Sequence, residues 1–254
     1  MAVDLITLPC LTDNYAYLMH DEATGRTVLV DAPEAAPVIG ALATREWALD
    51  EIWLTHHHDD HVQAVAELVA ATGAVALGAA ADAHRLPPLD RQLRPGDHID
   101  FGGGAVVLDA PGHTIGHIAF HLPEAGLLFT GDSLMAAGCG RLFEGTPDQM
   151  FDTLTRLAAL PDETQVCSGH EYTMHNLAFA QTVDGANPAL AARLMRVAKA
   201  RAEGRPSVPS RLSGERATNP FLRAAEPAIA AALDMPGAPP LEVFTSLRAA
   251  RNRF

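Results

Sequence analysis

Thr55-His56-His57-His58-Asp59-Asp60-His61 follows directly on the short apolar run Ile52-Trp53-Leu54. Imidazoles and carboxylates are the ligands that zinc and iron take in sites of this type, and they must converge within a few ångströms. A short strand ending in a tight loop delivers several such groups at once. Neighbours in an extended segment point to opposite sides. His57 is thereby left out; His56 and His58 can turn toward one ion, while Asp60 and His61 turn toward a second. A tag remnant or an adventitious surface run of histidines is the bland reading. A tag would be terminal, and it would not carry interleaved aspartates.

The same arrangement recurs downstream. Pro111-Gly112-His113-Thr114-Ile115-Gly116-His117 comes after the apolar run Ala105–Leu108. Thr130-Gly131-Asp132 comes after Leu127-Leu128, and Ser168-Gly169-His170 after Val166-Cys167. Each places a ligand type at the end of a short apolar segment beside a glycine. One histidine after a strand is usually a hydrogen-bonded loop residue. The series, in this order after H-x-H-x-D-H, points to strand ends that deliver side chains to one edge of a sheet.

With these segments in view, the chain resembles the metallo-β-lactamase superfamily. Within it the chain is similar to glyoxalase II, the hydroxyacylglutathione hydrolases. The resemblance runs over essentially the whole chain. It takes in Asn14-Tyr15, Val30-Asp31, the T-H-H-H-x-D-H block, P-G-H-T-x-G-H and the T-G-D at Thr130–Asp132. These mark the superfamily. Gly138-Cys139-Gly140-Arg141, Phe143-Glu144-Gly145-Thr146, Gly169-His170-Glu171-Tyr172-Thr173 and Asn219-Pro220-Phe221-Leu222-Arg223 are more specific to glyoxalase II. The resemblance implies an α/β fold, an αββα metallo-β-lactamase sandwich with a C-terminal helical domain. It implies a metal-binding catalytic domain over residues 1–172 and a helical, glutathione-binding domain over residues 173–254.

The resemblance also implies a ligand set and a reaction. His56, His58 and His113 match the ligands of a first divalent metal, and Asp60, His61 and His170 those of a second. Asp132 matches the carboxylate that bridges them. Zinc is the expected metal, with iron or manganese as alternatives. The implied nucleophile is a hydroxide shared by the two ions, which Asp60 helps to orient, with no separate protein nucleophile. Its target is the thioester of S-D-lactoylglutathione, hydrolysed to D-lactate and glutathione in the second step of methylglyoxal detoxification. Arg141, Phe143, Tyr172, Arg248 and Arg251 match positions that hold the glutathione part. Two departures stand out. Phe143 occupies a position that is often Tyr, and Arg251-Asn252 replaces a common Lys-Asp. His57 and His117 read as supports for the ligands, Asp59 as solvent-facing, Asp31 as a support for the ligand loop, and Cys139 as a small buried residue.

Composition narrows the alternatives. The 254 residues are 48% hydrophobic, ordinary for a globular chain with a substantial core. Net charge is −13. Residues 1–190 carry 26 acidic against 7 basic side chains, and residues 191–254 carry 11 basic against 5 acidic. An RNA-processing nuclease of this fold would want a basic surface around its site, and most of the terminal arginines lack interleaved aromatics. No nucleic-acid partner is expected. Met1-Ala2-Val3-Asp4 has no basic segment leading into an apolar one, and the Ala-rich stretch 64–81 is interrupted by Glu67, Thr72 and two glycines. Neither export nor a membrane span is expected. Cys10, Cys139 and Cys167 are odd in number and form no C-x-x-C pair, which suits a cytoplasmic protein. A monomer is the expectation. The rival within the superfamily is a persulfide dioxygenase, a mononuclear iron oxidoreductase that also handles glutathione. The helical tail and its arginines argue against it.

Strands are expected at Leu5–Leu8, Ala16–Met19, Thr27–Val30, Glu51–Leu54, Val75–Leu77, Val106–Leu108, Ile118–His121, Leu127–Phe129 and Gln165–Cys167. Helices are expected at Glu34–Glu46, His61–Thr72 and Asp148–Leu160, the last opened by Thr146-Pro147. After Tyr172 the pattern predicts helices only, at Met174–Thr182, Pro188–Ala202, Pro227–Leu233 and Pro240–Ala250. Polar Glu203–Asn219 reads as a loop.

Overall fold

A computed structural model describes residues 3–254. The chain divides into two compact units: one runs up to Ala110 and takes in Gly116–Gly131, the other takes Pro111–Ile115 and Asp132–Phe254.

In the first unit, β1 (Val3–Cys10) and β2 (Asn14–Asp21) form a hairpin, Val3 opposite Asp21 and Cys10 opposite Asn14. β3 (Arg26–Val30) continues antiparallel, with Tyr17 opposite Val30. Helix α1 (Ala35–Arg45) then returns the chain so that β4 (Glu51–Trp53) lies parallel to β3. Helices α2 (Asp59–Val62) and α3 (Val65–Thr72) do the same for β5 (Val75–Ala79), and β6 (Arg91–Leu93) completes a six-stranded sheet. Parallel neighbours need such crossovers. Strands covered on both faces read as nearly continuous apolar runs, as β2, β3 and β4 do. β7 (His98–Ile99), β8 (Ala105–Asp109), β9 (Ile118–Leu122) and β10 (Leu127–Gly131) form an antiparallel meander.

The two sheets of this unit meet through aromatic rings. Trp53 is fully buried, with its ring 5.1 Å from Phe120 and 5.7 Å from Phe101. Tyr17 meets Phe129 edge-on at 5.5 Å. Burying a side chain such as Phe120 or Phe129 contributes roughly 1.5–3 kcal/mol. The result for function lies at the strand ends. Val30 pairs with Trp53, so Asp31 and the Thr55–His61 loop leave neighbouring parallel strands on the same side. In open α/β sheets that carboxyl edge is where ligands bind.

The second unit holds the short hairpin β11 (Leu134–Met135) with β12 (Gly138–Cys139), then α4 (Pro147–Ala158). Thr146 caps α4 in a capping box with Gln149, and Pro147 opens the first turn, as the sequence predicts. β13 (Gln165–Ser168) precedes α5 (Thr173–Asp184) and α6 (Pro188–Ala202). β14 (Ser210–Arg211) pairs with β13 and leads into α7 (Leu212–Thr218). α8 (Pro227–Ala232) and α9 (Pro240–Arg253) end the chain. Leu177, Ala180, Leu190 and Val197 form a core with Ala137, and Phe244 packs between Phe151 and Phe221. No helix among the described residues is long and apolar enough to cross a membrane.

Two expectations change. The helix expected at His61–Thr72 is split, because the loop after β3 takes up its backbone: Ala32 donates its N–H to the His61 carbonyl at 2.7 Å and accepts from Ala64 N–H at 3.0 Å. The loop expected at Glu203–Asn219 contains β14 and α7. Three of its polar residues, Glu215, Thr218 and Asn219, are buried. Glu215 is fully buried, paired with Arg193 and accepting the Ala137 N–H at 2.8 Å.

Candidate metal centre

The first unit holds His56 and His58, on the loop after β4, together with Asp60 and His61, in the short helix α2 that follows it. His56 and His61 are completely buried, with ring centroids 4.2 Å apart. His56 Nε2 lies 3.1 Å from His58 Nδ1. Two metal–nitrogen bonds of about 2.0–2.1 Å at the tetrahedral angle put their nitrogens about 3.3 Å apart. These two nitrogens therefore already stand at the spacing of ligands to one ion.

Asp31 fixes how the rings face. Its Oδ1 accepts the Thr55 N–H at 2.9 Å, and its Oδ2 accepts the Thr55 hydroxyl at 2.9 Å. The same Oδ2 lies 2.9 Å from His61 Nδ1. The carboxylate accepts, so His61 carries its proton on Nδ1 and its lone pair on Nε2. Thr55 has spent its hydroxyl proton on Asp31, so it can only accept at 3.0 Å from His56 Nδ1. His56 thereby also turns its lone pair to Nε2. Orienting partners of this kind are what metal-ligating histidines require. Asp31 itself has φ of 58°, a left-handed conformation that aspartate tolerates.

Asp60 is pinned by Asn14, whose side-chain amide donates to both the Asp60 carbonyl and Oδ2 at 3.0 Å. His57 turns elsewhere, with Nδ1 3.1 Å from Asp82, which also takes Arg85 at 2.5 Å. His117 is buried and stacks on His56 at 4.8 Å. His121 sits within β9, where burial depresses its pKa.

The second unit holds His113, Asp132 and His170 together, all buried. Asp132 Oδ2 lies 3.5 Å from His113 Nε2 and 3.3 Å from His170 Nε2. A carboxylate oxygen between two imidazole nitrogens at ligand-to-ligand spacing suits a shared metal ligand. His113 Nδ1 donates to the Arg141 carbonyl at 2.8 Å, leaving Nε2 with the lone pair. His170 stacks flat on Tyr172 at 4.7 Å. Phe143 is 62% exposed and meets the His113 ring edge-on at 5.2 Å.

The arginines expected to meet substrate differ in their surroundings. Arg141 is exposed. Arg251 donates to Asn176 Oδ1 at 3.1 Å and lies over Phe179 and Phe254. Its pKa is depressed by burial, then by the like charges of Arg248 and Arg141, so the three cations form one cluster. Arg248 is only 5% exposed, contrary to a solvated helix end. Cys139 is buried and its thiol is pushed up by burial, with Arg248 opposing, which argues against a nucleophile.

Sequence reasoning gave no role to Asn14, Asn176, Asn219 or Glu215. They are buried polar residues with fixed partners, and no periodic signal marks them. Asn14 lies in a quoted motif, and Asn219 opens another.

The donors are imidazole nitrogens and carboxylates without thiolate, which fits zinc, iron or manganese. Residues 13–170 match the metallo-β-lactamase superfamily model, and residues 171–254 match the model described as the hydroxyacylglutathione hydrolase C-terminus. A protein of Ruegeria pomeroyi named hydroxyacylglutathione hydrolase is 59% identical over 100% of both chains. One of Fuscovulum blasticum with the same name is 60% identical over 100% of both. Among solved structures, the BLEG-1 B3 metallo-beta-lactamase shares the fold, with TM-score 0.67 and 20% identity over 86% of this chain and 99% of that one.

Proposed function

The chain belongs to the hydroxyacylglutathione hydrolases of the metallo-β-lactamase superfamily, and on that premise we propose that it hydrolyses S-D-lactoylglutathione to D-lactate and glutathione. The persulfide dioxygenase alternative is not favoured, since the helical C-terminal region matches the hydroxyacylglutathione hydrolase model. We read residues 1–172 as the catalytic region and residues 173–254 as the glutathione-binding region.

In this reading His56, His58 and His113 hold one divalent ion and Asp60, His61 and His170 a second, with Asp132 common to both. Zinc is the expected metal, and iron or manganese suit the same donors. Bound ions supply Lewis acidity, which acidifies water and polarises a carbonyl oxygen. The observation that carries the reading is Asp132 Oδ2 between His113 Nε2 and His170 Nε2.

The chain's own residues do the rest. Asp60, pinned by Asn14, accepts a hydrogen bond from the attacking water and orients it. The water oxygen bonds to the thioester carbonyl carbon and its proton leaves to solvent. The C–S bond breaks with its electron pair on sulfur. A thiol ionises near pH 8.5, so the departing thiolate needs little protonation. Glutathione brings two carboxylates. Arg141 and Arg251 meet them, with Arg248 adding charge from beneath, because guanidinium can grip carboxylate through paired hydrogen bonds. Tyr172 and Phe143 flank His170 and His113 and offer apolar contact. The three buried, scattered cysteines fit a cytoplasmic protein, and a monomer suffices for the chemistry.

The test is an assay of purified, metal-loaded protein with S-D-lactoylglutathione, with bound metal measured on the same sample. Stoichiometric metal without thioester cleavage would refute the reading.

A further inference from the structure

Arg248 lies on α9, more than a hundred residues from the loop it holds. Its Nη1 donates to the Cys139 carbonyl at 2.8 Å and to the Gly140 carbonyl at 3.3 Å, and lies 3.6 Å from Cys139 Sγ. Its Nη2 donates to Asn252 Oδ1 at 3.0 Å. Its face lies over Phe221 at 5.2 Å. No carboxylate pairs with it among the described residues, so carbonyl dipoles, a neutral amide and the face of Phe221 compensate a buried cation. Nη1 and Nη2 are both taken up by protein, while Nε is buried without a partner.

The next residue along that loop is Arg141, whose carbonyl takes the Nδ1–H of His113. The loop is fixed from its other side too. Gly140 N–H donates to the Ser133 carbonyl at 3.1 Å, one residue after Asp132. Space there is minimal: a Cβ on residue 140 would run into the Asp132 carbonyl and stand 3.0 Å from His113 Nδ1.

We propose that Arg248 is a positioning residue for the metal site: it clamps the Cys139-Gly140 backbone so that the Arg141 carbonyl holds His113 with its lone pair on Nε2. A carbonyl that drifts frees His113 to rotate or to change tautomer, and either removes a nitrogen from the ligand set. Partners that orient a metal-bound histidine typically carry 10–100-fold in metal affinity. Asn252 completes the clamp, as a neutral acceptor that leaves the charge of Arg248 to the arginine cluster. The proposal rests on His113 being a ligand, but not on the identity of the thioester.

The experiment compares Arg248→Met with Arg251→Met, in the same charge cluster but bonded to Asn176 rather than to the loop. The readouts are release of each metal ion to a chelator and the visible spectrum of the cobalt-substituted protein. Arg248→Met is expected to lose one ion about 10- to 100-fold more readily, with an altered cobalt spectrum and a lower kcat. Arg251→Met is expected to keep both ions as the parent does and to raise KM. Arg248→Lys keeps the charge but lacks the planar fork that spans two carbonyls. It is expected to lose the same ion several-fold faster, and it decides the matter if Arg248→Met does not fold. Parental retention of both ions in whichever Arg248 variant folds would overturn the proposal, and a KM effect alone would return Arg248 to direct substrate binding. Absence of lactoylglutathione hydrolysis in the parent would sink the functional reading while leaving the metal-release comparison intact.

Discussion

Asp31→Asn isolates one interaction in the ligand loop. Asparagine tolerates the left-handed backbone at this position, so the change adds little strain. Its Oδ1 can still accept the Thr55 N–H. An amide NH2 then stands where Oδ2 was, facing two donors: the Thr55 hydroxyl and His61 Nδ1–H, each at 2.9 Å in the parent. The carboxylate acceptor is lost, and the His61 Nδ1–H is left facing a donor. The hydroxyl can rotate away. His61 can find relief by moving its proton to Nε2, and that occupies the nitrogen meant for the metal. A hydrogen bond to a charged group contributes about 1.5–3 kcal/mol, and each 1.4 kcal/mol is about tenfold in binding. The expected loss is therefore roughly 10- to 100-fold in affinity for the ion His61 holds, with kcat falling in step with occupancy. The apo-protein should melt lower as well, by about 3–12 °C, from about 2–4 °C per kcal/mol for a chain of this size. Chelator competition gives the affinity and calorimetry the melting shift. A folded Asp31→Asn protein that binds both ions with parental affinity would refute the assignment of Asp31 as the group that sets the His61 tautomer.

Asp132→Ala should abolish turnover and lower metal content at once, while His57→Ala, which loses its contact with Asp82, should retain both ions; elemental analysis with steady-state rates separates the two, and full activity in Asp132→Ala would contradict the ligand set. Gly140→Ala should be inactive with impaired metal binding, since the obstructing Asp132 carbonyl is backbone and cannot step aside; an active Gly140→Ala would mean the loop is looser than its hydrogen bonds indicate. The thiols should resist alkylation near pH 8 in the folded protein and react on unfolding, because burial raises all three and lifts Cys10 to about 11. For stability the sign follows: the folded state holds the Cys10 proton more tightly than the unfolded one, so its contribution is complete below about pH 9 and is lost as pH climbs toward 11. Denaturant melts across that range check the direction.

The strand ends were legible because two signals coincide there. An apolar run of three to five residues announces a buried strand, and a following histidine or aspartate has no packing reason to stand at its end. That is why Thr55–His61, His113, Asp132 and His170 could be picked out without any contact being known. Helices α4, α6 and α9 were legible from prolines at their first turns and, for α4, from Thr146 and Gln149. Helix α7 was missed for the opposite reason. Its inward face carries Glu215 and Thr218, and a helix that buries polar groups lacks the apolar stripe on which period-based reading depends.

Of the orienting groups only Asp31 was marked in sequence, by its place after a strand; the others were not, and the cause is general. A ligand must present a lone pair, so its chemistry restricts it to a few residue types. A residue that orients a ligand need only offer a donor or an acceptor, and backbone serves as well as side chain. His61 is set by a carboxylate, His56 by a hydroxyl and His113 by a peptide carbonyl. The last leaves no mark on the identity of residue 141 at all, because its position is inherited from Arg248, 107 residues further on in the sequence. Arg248 looked from sequence like one of a run of terminal charges with a substrate carboxylate to meet. Its burial and its two carbonyl partners are what motivate the proposal that this charge fixes the His113 loop. Arg251, three residues on, reaches the Asn176 side chain instead. The difference between them lies in what each can reach, backbone carbonyls for Arg248 and a side-chain amide for Arg251, rather than in residue type.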